Sequence, residues 1–229
     1  MDDKERLRRL ATAAAAEVQP GTIVGLGSGS TAEAVVEALG RRIATEGVFF
    51  SGVATSHRTS DLARSLGMTL RTLDEIDRID LGIDGADEIA PNLDVVKGRG
   101  GALLYEKIVA LTCDRYLIVA ASEKEVHQLG TRLPLPVEIM PLGWRQTLIR
   151  IESLGLQPRL RKAANGFDPY VTDGGHWILD CDPSPIADPP ALATALKGLV
   201  GVVEHGLFIG IADRAMVVDP DGTVRVRSR

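Results

Sequence analysis

Apolar residues recur at helical spacing at Leu7, Leu10, Ala11, Ala14 and Val18, behind the acids Asp2 and Asp3, and Pro20-Gly21 closes the run. This pattern predicts an amphipathic helix at the start of the chain. Short apolar runs then alternate with helical stretches. Strands are predicted at Thr22 to Leu26, within Val48 to Thr55, and near Ile79 to Asp84, Leu93 to Lys97 and Tyr116 to Ala120. Helices are predicted at Ser30 to about Thr45, Ser56 to Leu66 and about Gly101 to Cys113. Strands that alternate with helices predict an α/β domain, Rossmann-like, with a mostly parallel sheet covered on both faces.

The rhythm changes after Gly130, where Pro134 and Pro136 bracket a linker. Beyond it the pattern predicts a strand (Val137 to Met140), a helix (Trp144 to Leu154) and a strand (Leu156 to Leu160). A hairpin around Asp173-Gly174-Gly175, a helix (Pro189 to Leu199) and a strand (Val202 to Glu204) follow. That is the β-α-β-β-α-β order of a ferredoxin-like α+β unit with one extra hairpin strand. The tail, Leu207 to Ile211, Met216 to Val218 and Val224 to Val226, is expected to return to the first sheet. The reading is therefore a Rossmann-like domain of residues 1–130 plus 206–229 and a smaller domain of residues 131–205, the latter expected to serve oligomerisation.

Composition narrows the function. With 45% hydrophobic and 25% charged residues among 229, the chain has the material for one sizeable core and a smaller companion, and disorder is excluded for most of it. Lys+Arg 26 against Asp+Glu 31 leaves a net charge of −5, with no positive field to attract a polyphosphate, so nucleic acid is not an expected partner. No apolar run approaches the ~20 residues of a membrane span, and MDDKERLRRL lacks the apolar core of a signal peptide. Cys113 and Cys181 have no CxxC or Cys/His spacing. A cytoplasmic location with free thiols and no membrane partner is expected. The four histidines, His57, His127, His176 and His205, lack ligand spacing, so no metal site is expected.

Three segments carry candidate chemistry. GLGSGSTAEAV starts at Gly25, where the first strand meets a helix, and glycines ahead of a helix N-terminus suit a phosphate. Ser30 stands at the third glycine position of a dinucleotide fingerprint, no ribose-binding acid ends the next strand, and no Gly-Lys-Ser/Thr follows. The plainer alternative is a Ser30/Glu33 capping box behind a tight turn. DGADEI, Asp84 to Ile89, ends a predicted parallel strand, the edge at which open α/β sheets bind ligands. Its acids suit hydroxyl binding or proton transfer; the alternatives are a solvated loop or a helix cap at Asp87. KGRGGALLYEKI, Lys97 to Ile108, pairs a cation with a glycine-rich turn that opens a helix. At about 100° per residue, Leu104, Ile108 and Leu111 share one face of that helix, and Glu106 lies opposite among Ala102, Val109, Ala110 and Cys113. An acid inside an apolar stripe has the raised basicity that proton abstraction needs, unless an ion pair accounts for it. Ser122 to Glu125 reads as a helix start with a capping box, and Lys124 follows a strand, within reach of the same edge as Lys97.

Together these segments resemble ribose-5-phosphate isomerase of the A type. The resemblance extends through ASEKEVHQLG, LPLPVEIMP, VTDGGHWILDC and GVVEHGLF, and so over nearly the whole chain. It implies interconversion of D-ribose 5-phosphate and D-ribulose 5-phosphate in the pentose phosphate pathway, without metal or organic cofactor, by a homodimer or homotetramer. It also implies substrate binding at Ser28, Gly29, Ser30 and Thr31, at Asp84, Gly85, Ala86 and Asp87, at Lys97, Gly98, Arg99 and Gly100, and at Lys124. Glu106 is the implied general base. For the isomerisation itself we expect Asp84 to move the hydroxyl proton, Lys97 to stabilise the enediolate oxygen and Asp87 to assist ring opening. Tyr105 and His57-Arg58 depart from the family pattern. The rival readings are a non-catalytic sugar-phosphate effector domain, a coenzyme A transferase using a glutamate nucleophile, and, less well supported, an NAD-dependent dehydrogenase.

Overall fold

A computed structural model describes all 229 residues. In chain order the elements are α1 (Asp3–Ala16), β1 (Ile23–Leu26), α2 (Ser30–Glu46), β2 (Ser51–Ala54), α3 (His57–Ser65), β3 (Thr69–Leu70) and β4 (Leu81–Gly85), then β5 (Glu88–Ile89), β6 (Val95–Val96), α4 (Leu103–Thr112) and β7 (Tyr116–Ala121). Next come β8 (Leu135–Ile139), α5 (Trp144–Glu152), β9 (Pro158–Leu160), β10 (Trp177–Cys181), α6 (Pro189–Lys197), β11 (Val202–His205), β12 (Leu207–Phe208), β13 (Arg214–Val218) and β14 (Val224–Ser228). The chain forms two compact units: Met1–Ala86 with Tyr105–Glu125 and Gly210–Arg229, and Asp87–Leu104 with Val126–Ile209. No helix is long and apolar enough to cross a membrane.

The first unit is built on a seven-stranded sheet of order β14-β13-β7-β4-β1-β2-β3, parallel throughout except for β14. Asp2 caps α1 by accepting the Glu5 N–H at 2.7 Å. Leu10 and Ala14 of α1 and Val35 and Leu39 of α2 share a core with the strand residues Val24, Leu26, Ile83, Leu117 and Val119. A second cluster joins Val109 of α4 to Val53 and Ile79. Here two strand glycines set the packing distance. A Cβ on Gly25 would stand 3.0 Å from Val109 Cγ1, and one on Gly82 would stand 2.6 Å from Cys113 Sγ. Strands that would otherwise favour β-branched residues carry glycine because α4 lies directly on them.

The second unit has the ferredoxin-like sequence β8-α5-β9-β10-α6-β11, folded into an antiparallel sheet of order β11-β8-β10-β9. Val137, Ile139, Leu179 and Cys181 pack with Ile151 of α5 and Leu196 of α6. Asp188 caps α6 ahead of Pro189-Pro190. Trp144 and Trp177 meet edge to face at 6.2 Å beside this core. A three-stranded sheet, β12-β6-β5, completes the unit.

The α/β class with a smaller antiparallel unit agrees with the sequence reading, and four details differ. Residues 87–104 belong to the second unit, because β5 and β6 pair with β12 and Ala90 and Val96 enter its core. Leu207–Phe208 therefore pairs with Val95–Val96, and only β13 and β14 return to the first sheet. The extra hairpin strand reduces to the bridges Lys162↔Pro169 and Val171↔Trp177. Ser122 to Lys124 is one 3-10 turn without a side-chain cap. Its acids are engaged elsewhere, Glu123 by Arg6 at 2.9 Å and Glu125 by Arg225 and Arg227 at 2.8 and 2.6 Å.

Candidate active site

From β1 the chain proceeds to β2 and β3 on one side, then crosses to β4 on the other. The carboxyl ends of β1 and β4 thus flank a topological switch point, where an open α/β sheet offers a crevice. Gly27 and Ser28 leave β1 there, and Asp84 is the last residue but one of β4. Asp84 is 1% exposed, and both oxygens of its carboxylate accept hydrogen bonds: Oδ1 accepts the Ser28 N–H at 3.1 Å and the Gly85 N–H at 2.7 Å, and Oδ2 accepts the Tyr116 hydroxyl at 3.2 Å. A Cβ on Gly27 would come within 2.2 Å of the Asp84 Cγ. The second glycine of GLGSGS is there for a carboxylate.

The Ser30/Glu33 capping box is absent. Gly29, at φ 90°, is the N-cap of α2, no side chain caps the helix, and Ser30 is already its first residue. Glu33 instead meets Arg58 of α3 at 2.7 Å. The N-terminus of α2 keeps its positive end without a carboxylate or hydroxyl cap, with Ser30 exposed and Thr31 against Gly85. The Ser28 side chain turns away into a hydroxyl cluster, at 2.8 Å from Thr55 Oγ1, 2.7 Å from Ser56 Oγ and 3.2 Å from Thr59 Oγ1. This cluster holds the β1 loop against the start of α3.

Glu106 is 4% exposed on the sheet-facing side of α4, as the helical wheel anticipates, and the apolar face opposite looks outward, with Leu111 68% exposed. Burial, then the charges of Asp84 and Glu106, hold the Tyr116 phenol well above its usual range. Both carboxylates therefore act on one buried hydroxyl. Cys113, just beyond α4, is pushed up to about 12, mainly by burial, and donates to the Val109 carbonyl at 3.1 Å. A thiol held in that range carries little of the nucleophilic thiolate.

In the second unit the remaining acids of DGADEI separate by role. Asp87 caps no helix; its Oδ2 accepts the Arg99 N–H at 3.0 Å. Glu88 is fully buried and accepts the amides of Gly130 and Arg132, both at 2.6 Å, and of Leu133 at 3.1 Å. It is a structural anchor. Lys97 is 3% exposed, tied through its N–H to the Gly206 carbonyl at 2.9 Å, with its ammonium 5.6 Å from the Phe208 ring centroid. The turn that follows needs glycine at Gly98 (φ 105°) and at Gly101 (φ 85°).

Lys124 is half-buried in the turn after β7. His57 and Tyr105, the departures from the family pattern, both line a cavity of about 360 Å³ in the first unit, with Arg64, Arg71 and Ile108. Sequence reasoning missed Tyr116, whose hydroxyl reaches Asp84, and Arg161 and Tyr170, which contact the Lys97–Gly101 turn. No local signal marks them, because each is an ordinary strand or hairpin residue until the fold brings its partner within reach.

The model of the family described as ribose 5-phosphate isomerase A (phosphoriboisomerase A) matches residues 51–222. The chain is 52% identical over 229 residues to ribose-5-phosphate isomerase A of Synechococcus sp. (strain JA-3-3Ab), covering 99% of each. It is 46% identical over 227 residues to that of Roseiflexus castenholzii, covering 99% of this chain and 97% of the relative. A solved D-ribose-5-phosphate isomerase in complex with phospho-erythronic acid is similar over 100% of both chains, with a TM-score of 0.96 and 32% identity. Ribose 5-phosphate isomerase A of Methanocaldococcus jannaschii gives 0.93 and 31%, again over 100% of both chains.

Proposed function

The chain belongs to the ribose 5-phosphate isomerase A family, and from that premise we propose that it interconverts D-ribose 5-phosphate and D-ribulose 5-phosphate through a cis-enediolate, with Glu106 as the base. The reaction is a step of the pentose phosphate pathway. The observation that carries the assignment of the base is a buried glutamate on the sheet-facing stripe of α4, close enough to Tyr116 for its charge to act on the same phenol as Asp84.

In this reading the open-chain aldehyde lies along the switch-point edge. Glu106 removes the C2 proton and returns it to C1, so one carboxylate acts first as base and then as acid. Asp84 moves the hydroxyl proton between O2 and O1, its orientation set by two backbone amides and the Tyr116 hydroxyl. Lys97 stabilises the negative oxygen of the enediolate, where burial strengthens the attraction. Asp87 assists ring opening. The phosphate is held by the first-turn amides of α2 with Ser30, Thr31 and Lys124, and the helix without a side-chain cap favours this role.

The test is turnover of D-ribose 5-phosphate by chelator-treated protein, paired with Glu106→Gln. Wild-type turnover and a loss of at least ~10² in kcat for the variant are expected, the scale general-base catalysis supplies. Binding of the sugar phosphate without turnover in either protein would favour the effector-domain reading instead.

A further inference from the structure

Within the second unit, the turn after Lys97 is gripped from one side. The Arg161 guanidinium donates through Nη1 to the carbonyls of Gly98 at 3.2 Å and Arg99 at 3.0 Å. The Tyr170 hydroxyl donates to the Gly100 carbonyl at 3.1 Å. Three consecutive carbonyls are thereby turned the same way. Arg161 is itself held: its side chain is 14% exposed, its Nε and Nη2 form a fork with the Asp180 carboxylate, and its guanidinium lies 5.6 Å from the Tyr170 ring centroid. Only arginine has the planar fork that serves a carboxylate and two carbonyls at once. The grip also requires Gly101, where a Cβ would fall 2.3 Å from the Tyr170 hydroxyl oxygen.

In a trans peptide the carbonyl of one residue and the N–H of the next point in opposite directions, and every peptide bond here is trans. With the Gly98 and Arg99 carbonyls on the Arg161 side, the N–H groups of Arg99 and Gly100 are presented on the opposite side. The Arg99 N–H does point there, to the carboxylate oxygen of Asp87. That side of the turn already accepts a negative oxygen, as backbone amides in a turn do.

We infer that Arg161, oriented by Asp180 and assisted by Tyr170, is a positioning residue for the isomerisation: it fixes the Gly98–Gly100 ribbon so that the Arg99 amide holds Asp87 and the Gly100 amide faces an oxygen of the sugar phosphate. The inference rests on the reading that the Lys97–Gly100 segment binds substrate. The Gly100 amide meets an oxygen present in substrate and transition state alike, so loss of the grip weakens binding rather than the chemical step.

The experiment compares Arg161→Gln, Arg161→Lys and Tyr170→Phe with wild type by steady-state kinetics, together with tryptic cleavage after Arg99 in the absence of substrate. Arg161→Gln is expected to raise KM about tenfold with kcat within about threefold, Tyr170→Phe to raise KM about threefold, and Arg161→Lys to fall between them. Cleavage after Arg99 is expected to accelerate in the same order. Unchanged KM in folded variants overturns the inference, as does a fall in kcat at constant KM. If Arg161→Gln does not fold, the other two variants decide. Absence of turnover by wild type would sink the proposed function, whereas unaltered cleavage after Arg99 would sink the grip alone.

Discussion

Replacing Gly27 by alanine adds one methyl group directly against the Asp84 carboxylate, and the consequence can be worked out from the geometry. The added carbon would stand 2.2 Å from both Cγ and Oδ1 of Asp84 and 2.6 Å from its Cβ. Ordinary carbon contacts lie at about 3.5 Å, so the carboxylate must retreat by roughly 1 Å. It has no slack to do so, being 1% exposed and held by Ser28, Gly85 and Tyr116. Overpacking costs about 1–3 kcal/mol, and loss of one hydrogen bond to a charged group about 1.5–3 kcal/mol. A destabilisation of about 2–4 kcal/mol is expected where relaxation recovers part of this. On the proposed role of Asp84 in proton transfer, a displacement of about 1 Å should also cost on the order of 10² in kcat. Urea denaturation and steady-state turnover read the two effects separately. Gly47→Ala is the control, since Gly47 ends α2 at φ 66° with open space around its Cβ. It should lose only about 1 kcal/mol and keep its kcat. A Gly27→Ala protein with wild-type kcat and stability within about 0.5 kcal/mol of wild type would refute the reasoning.

Two further predictions concern ionisation. Burial pushes the thiols of Cys113 and Cys181 up to about 12. At about pH 8 alkylation of the folded protein should therefore be on the order of 10³ slower than that of an ordinary thiol; labelling of either cysteine at the rate of a free thiol would contradict this. On the first sheet, Arg225 lowers Asp219 through a side-chain hydrogen bond, and Arg225 with Arg227 lowers Glu125 despite the opposing effect of burial. Carboxyls depressed in the folded state stabilise it above their unfolded values near about pH 4, and that contribution disappears as the pH falls through the folded values. Arg225→Gln should thus lose stability at about pH 7, only modestly because the cluster is partly exposed, and the difference from wild type should shrink as the pH falls below about 4; a difference in urea midpoint that does not shrink would count against the pairing.

Hydrophobic periodicity located every long element, because α1, α2, α4 and β7 each bury a face whose spacing survives in the sequence. It missed β3 and β5 and overextended β6. These strands have only two residues, too short for any period, and are fixed by pairing with their neighbours, β3 with β2 and β5 with β6, which in turn pairs with the distant β12. The same limit moved residues 87–104 into the second unit, since the pairing of Val95–Val96 with Leu207–Phe208 spans nearly half the chain. At the site, Glu106 was legible as an acid in an apolar stripe. Glu88 was not, because nothing local separates it from Asp84 and Asp87; the three amides that claim it lie more than forty residues away. The capping box failed for a related reason: Ser-x-x-Glu spacing is satisfied, but Gly29 takes the cap and Arg58 takes the glutamate.

The Glu88 anchor has a consequence for the segment between β7 and β8. Residues 130–133 form no helix or strand, and by that measure they belong among the parts of a protein that open easily. Opening them would strip three amides from a fully buried carboxylate and leave its charge in apolar surroundings. The linker therefore cannot fray by itself. It opens only when β5 releases Glu88 to water, so an irregular stretch of backbone shares the cooperativity of the folded unit on which it is anchored.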